Sequence, residues 1–78
     1  MRSRGEEAVA LRPEEIRNWS DEEIRNRLEQ ARRELFHLRL QWAMNQLKDV
    51  NRIRALRKDI ARMLTILRER ELARGGRR

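Results

Sequence analysis

The sequence predicts an all-α protein, an antiparallel two-helix hairpin with a short N-terminal helical turn. Three observations lead there. Apolar residues recur at alternating spacings of four and three in two separate segments, the pattern that keeps side chains on one stripe of a helix. A short polar connection joins the segments, which makes neighbouring helices antiparallel. The chain has 78 residues and no cysteine, so it forms one small domain whose marginal core looks to a partner for reinforcement rather than to disulfides.

Residues 1–10, MRSRGEEAVA, are charged and show no sustained period, which reads as a flexible lead. A helical turn is expected over 13–18. Pro13 suits the first helical position, Glu14 and Glu15 suit the positive end of the helix dipole, and Leu11 and Ile16 are its apolar anchors. The next start is the best marked in the chain. Ser20-Asp21-Glu22-Glu23 fits a capping box in which Ser20 caps the helix and Glu23 reaches back to its N–H, with Trp19 and Ile24 placed for a hydrophobic staple.

The first long helix is expected over 21–46, with a seam of Ile24, Leu28, Ala31, Leu35, Leu38 and Trp42. The second is expected over 50–73, with a matching seam of Ile53, Leu56, Ile60, Met63 and Leu67. Each seam is coiled-coil-like and complements the other. At about 25 residues each, the helices would be roughly 38 Å long. Asp49 or Asn51 is placed to cap the second, Gly75-Gly76 should stop it, and residues 74–78 form a basic tail. A second apolar row on the first long helix, Phe36, Leu40, Ala43 and Leu47, has two readings. Either Leu64, Leu11 and Ile16 fold over it, or Phe36, Leu40 and Leu47 form a docking surface for another protein.

Charge bears more directly on function. The chain carries 20 basic and 13 acidic residues, a net +7 and a pI of about 11.5, which points to a polyanionic partner. Residues 1–48 hold ten basic and nine acidic side chains, whereas residues 49–78 hold ten and four. On a helical wheel Arg54, Arg57, Lys58, Arg62 and Arg68 fall together on the outer arc of the second helix, with Ala61 and Thr65 between them and Asp59 on the other flank. Its i,i+4 neighbours, Arg54–Lys58 and Lys58–Arg62, are like-charged, which costs a free helix a few tenths of a kcal/mol per pair. Phosphates would relieve that repulsion, and the small residues would let a nucleic-acid backbone come close. With no aromatic on the arc, recognition of folded RNA by backbone and shape is expected rather than single-strand base reading. The candidate RNA-binding set is Arg52, Arg54, Arg57, Lys58, Arg62 and Arg68, with Arg77 and Arg78 of the tail.

Nothing in the sequence supports catalysis. The single His37 falls opposite the seam, the paired acids Glu14/Glu15 and Glu22/Glu23 have a dipole role in first turns, and no phosphate loop or metal-ligand spacing occurs. No enzyme activity, cofactor, metal or small-molecule substrate is expected. No run approaches the ~18 apolar residues of a membrane span, and the first ten residues lack the apolar run of a signal peptide, so a cytosolic location is expected. Two rival readings are a coiled-coil adaptor without RNA binding and, more weakly, a basic amphipathic helix on anionic membranes.

The run R-I-R-A-L-R-K-D-I-A-R from Arg52 to Arg62, continuing M-L-T-I-L-R-E-R-E, resembles the signature of the bacterial form of the universal ribosomal large-subunit protein family number twenty-nine. L-R-P-E-E-I-R-N-W-S-D-E-E-I resembles that family's opening, and E-L-F-H-L-R-L-Q-W-A-M-N-Q-L its first long helix and turn. The likeness covers Leu11 to Leu72. It implies a helical hairpin bound to large-subunit rRNA near the exit of the peptide tunnel, on the ribosome in the cytoplasm. It also implies a neighbour there, large-subunit protein number twenty-three, with targeting and chaperone factors docking nearby. The family's rRNA contacts carry over to Arg52, Arg54, Arg57, Lys58 and Arg62. The ten-residue lead is longer than the family's short start, and Met44-Asn45 stand where the family often has a small residue and Gly.

Overall fold

A computed structural model describes residues 11–75, so the expected flexible lead and the tail residues Arg77 and Arg78 lie outside the described residues. Among the described residues three helices follow in order: α1 (Pro13–Arg17), α2 (Asp21–Ala43) and α3 (Asn51–Ala73). The two long helices pack on each other, and α1 packs on α3. The hairpin expected from the two seams is present.

Five residues are too few to hold a helix by propensity alone, so α1 depends on its surroundings. Pro13 opens it, Glu14 and Glu15 occupy the first turn, and the Arg12 N–H donates to Glu15 Oε1 at 3.4 Å. Ile16 is fully buried, which stabilises the docked helix by about 1.5–3 kcal/mol. A second tie is the Leu11 N–H, which donates to the Asp59 carboxylate of α3 at 2.5 Å.

At the start of α2 the Ser20 hydroxyl accepts the Glu23 N–H at 3.0 Å. The reciprocal half of the expected capping box is not made. Glu23 Oε2 instead accepts from Arg27 Nε at 2.7 Å, while the Arg27 guanidinium lies 4.0 Å above the Trp19 ring centre. Arg27 offers Glu23 a full charge, a stronger hydrogen-bond partner than a neutral amide.

Helix α2 ends at Ala43, three residues before the expected boundary. Asn45 takes a φ of 60°, and its N–H donates to the Trp42 carbonyl at 3.0 Å while the Gln46 N–H donates to the Gln41 carbonyl at 2.8 Å. These two bonds close a Schellman motif, which needs a left-handed residue after the helix. Asn provides that conformation at lower cost than most residues. Helix α3 starts at Asn51, whose N–H donates to Asp49 Oδ1 at 2.9 Å, and Gly75 at φ 82° ends it.

The core joins Ile16, Ile24, Leu28, Ala31 and Leu35 to Ile53, Leu56, Met63 and Ile66. Leu38, Ile60 and Leu67 of the expected seams are half-buried against it. Trp42 is not part of it, being 55% exposed. The antiparallel register explains why. Arg52 pairs with Glu34 and Arg70 with Asp21, so Trp42 projects past the first residue of α3 and has no helix opposite. Ile66 is a gain outside the expected seam, covered by the flank where α1 docks.

Among the described residues, Leu11 and α1 therefore cover α3 and not the second apolar row of α2. Phe36 is 71% exposed and Leu40 47%, and Leu64, expected to cover them, is itself exposed. Leu47 alone among the candidate docking residues packs against the core. Asp21 closes the far end of the hairpin. It accepts from Arg70 Nη1 at 2.7 Å and from Arg74, and Arg70 Nη2 also donates to the Arg17 carbonyl at 3.0 Å.

Candidate nucleic-acid interface

The outer face of α3 follows from its seam. With Ile53, Leu56 and Met63 turned inward, the 3.6-residue period leaves Arg54, Arg57, Lys58, Ala61, Thr65 and Arg68 exposed. Arg54, Arg57 and Lys58 surround a shallow hollow of about 370 Å³ with Ala61 at its edge. A methyl group there leaves the helix surface low between three long cationic side chains.

The ion pairs lie elsewhere. Among the described residues the pairs are Arg17–Glu69, Arg27–Glu23, Arg33–Glu29, Arg52–Glu34, Arg70–Asp21 and Arg74–Asp21. None involves Arg54, Arg57, Lys58, Arg62 or Arg68. Six arginines are neutralised locally, while the cations of the outer arc have no such pair among the described residues.

The candidate set divides on this basis. Arg54, Arg57 and Lys58 share one hollow. Arg62 is half-buried and lines a second hollow, of about 240 Å³, formed where α1 meets α3. Arg68 is exposed and lines neither of the two hollows. Arg52, a candidate through the family resemblance and not a member of the arc, has its Nε and Nη2 atoms 3.0 and 2.9 Å from Glu34 Oε2 and links the two long helices. The exposed Phe36 and Leu40 lie on α2 rather than on the helix that carries the arc.

The second hollow contains residues that the wheel of α3 did not bring to the site. Pro13 and Arg17 of α1 face Ala61, Thr65 and Ile66 of α3 across it, with Glu69 at its end. The signal available in the sequence was Ile66, an apolar residue off the seam. It required a third element on that flank without saying which. Thr65 does not offer its hydroxyl proton to a ligand, since Oγ1 donates to the Ala61 carbonyl at 2.9 Å.

Two carboxylates shape the field around this face. Asp59 is turned away from the arc toward Leu11. Burial raises its pKa above the ordinary value, and the Leu11 N–H and the charges of Arg52 and Arg62 oppose that rise. The pKa of Asp21 is lowered, chiefly by its hydrogen bond from Arg70 and also by Arg74. Acidic side chains near the arc are thus committed to α1 or to the hairpin end. No helix of the described residues is long and apolar enough to cross a membrane.

Comparison with known proteins fits this arrangement. The profile of the Ribosomal L29 protein family matches residues 14–70, a span that includes nearly all of the three helices. Large ribosomal subunit protein uL29 of Thermotoga petrophila is 52% identical over 62 residues, covering 80% of this chain and 94% of that protein. The protein of the same name from Mycobacterium bovis is 49% identical over 65 residues, covering 83% of this chain and 84% of its own length. The helical hairpin, the basic outer face of α3 and these matches agree, and the chain belongs to the Ribosomal L29 protein family.

Proposed function

We propose that this chain is a structural constituent of the large subunit of the cytoplasmic ribosome, and that it binds large-subunit rRNA through the outer face of α3. The observation that carries the reading is the hollow ringed by Arg54, Arg57 and Lys58, none of which is ion-paired among the described residues. Phosphate oxygens fit this group, because guanidinium forks match them in pairs and the ammonium adds a point charge. Arg62 and Arg68 extend the contact along the helix, and Arg77 and Arg78 continue it from the tail. Arg52 contributes charge while held by Glu34.

The hairpin supplies stiffness and the arc supplies attachment. Its mechanism is counterion release on phosphate contact, without a chemical reaction. The family likeness supports a position near the peptide tunnel exit, beside large-subunit protein number twenty-three and within reach of targeting and chaperone factors. Phe36 and Leu40 are the exposed apolar pair for a protein neighbour there.

Co-sedimentation tests the reading. Tagged chain expressed in a bacterial host should remain with large subunits after a high-salt wash and be absent from small subunits. Recovery as a free homodimer that sediments without RNA would favour the adaptor alternative and contradict this function.

A further inference from the structure

The two hollows on the outer face of α3 share Ala61 and so adjoin, as two halves with unlike linings. One half is bounded by Arg54, Arg57 and Lys58. The other has Pro13, the exposed Thr65 and the buried Ile66 along it, flanked by the side chains of Arg17 and Arg62. The second half sets the apolar surface of Pro13 and Ile66 between two guanidinium groups, and that apolar surface offers nothing to a phosphate. A nucleotide has both chemistries, with a charged phosphate about one side chain's length from a flat apolar base.

We infer that the α1–α3 hollow receives the base of a single unpaired nucleotide whose flanking phosphates sit on Arg54, Arg57 and Lys58, an inference that rests on the rRNA-binding reading. Bases splayed from loops and bulges are the usual targets of specific RNA recognition, and guanidinium planes serve as stacking surfaces where aromatics are absent. Arg17 and Arg62 supply two such planes. Arg17 is steadied by Glu69 at 3.4 Å, and Arg62 is half-buried at the edge of the hollow. The half-buried Asp59 acceptor for the Leu11 N–H then gains a function beyond stability. It holds α1 in place as the far wall of the base-binding half.

The test compares three RNA hairpins of equal length: one fully paired, one with a single-nucleotide bulge, and one with the same bulge lacking its base. Binding of the full chain is measured by fluorescence anisotropy at fixed salt. The bulged hairpin should bind at least about fivefold tighter than the paired one, and the abasic bulge should lose that preference. Thr65→Leu, which places a branched side chain in the hollow on an exposed helical position, should reduce the preference for the intact bulge, with circular dichroism confirming the fold. Equal affinity for bulged and paired RNA overturns the base site and leaves the rRNA reading standing. A preference that persists with the abasic bulge overturns it too, because RNA deformability would then account for the difference. Absence of binding to any of the three would count against the RNA reading itself.

Discussion

The carboxylate of Asp59 accepts the backbone N–H of Leu11 at 2.5 Å, a contact between residues 48 positions apart. It ties the residue two places before α1 to the middle of α3. Burial pushes the Asp59 pKa up, so its charge is carried at some cost while its acceptor oxygen is needed. Replacing it by Ala removes the acceptor and leaves a part-buried N–H unpaired, which costs about 1–3 kcal/mol. Asp59→Asn keeps an acceptor without the charge and should be milder. Urea unfolding at pH 7 of both variants checks the order, with Asp59→Ala the less stable.

Asp21 behaves in the opposite sense. Its folded pKa is lowered by Arg70 and Arg74, so the unfolded chain binds the proton more tightly. Its contribution to stability is present above the unfolded pKa and is lost as pH falls through the folded value. For Asp59, with a raised folded pKa, stability instead rises as pH falls through that value. Asp21→Asn should therefore shallow the acid side of the stability curve, and Asp59→Asn should steepen it. Thermal melts from pH 7 to pH 3 measure both.

The turn makes a separate prediction. Asn45 sits at φ 60°, where a side chain with a Cβ is penalised by about 1–2 kcal/mol and Asn is among the better tolerated. Asn45→Gly should hold or slightly raise stability. Asn45→Val should lower it by about 1–3 kcal/mol, since a β-branched residue is strained there. The midpoint of chemical denaturation distinguishes them.

Much of the fold was legible because it is local. The four-three spacing of Ile24, Leu28, Ala31 and Leu35 required a helix, and the matching spacing from Ile53 to Met63 required a second to face it. Ser20 marked a start, and Gly75 an end, by backbone chemistry that reads directly from residue type. What the spacing did not contain was register. The opposition of Arg52 to Glu34 leaves Trp42 without a partner, and no single-helix pattern reports where the facing helix begins. The docking of α1 on α3 was hidden for the same reason, being a contact across about fifty residues. The wheel of α3 leaves Arg52 off the outer arc, and the ion pair with Glu34 across the hairpin shows what that side chain does instead.

Core and turn-end positions should differ sharply when truncated. Met63 is 1% exposed, and Met63→Ala should cost about 2–5 kcal/mol, enough to unfold much of a domain this small. Trp42→Ala, at a site 55% exposed, should change stability by about 0.5 kcal/mol or less. Urea denaturation of the two variants settles whether the seam stops short of the turn.

The central claim is that open cations on α3 hold the chain to rRNA phosphates. The measurement that tests it most directly is the salt dependence of binding to large-subunit rRNA, with Arg54, Arg57 and Lys58 replaced together by Ala. Each lost phosphate contact should flatten the slope of log affinity against log salt by about 0.7–0.9, so the triple variant should lose roughly 2–3 from the slope as well as affinity. Arg33→Ala on α2, whose arginine is paired with Glu29 at 3.3 Å, should leave the slope unchanged. A triple variant with the affinity and slope of the parent chain would contradict the account.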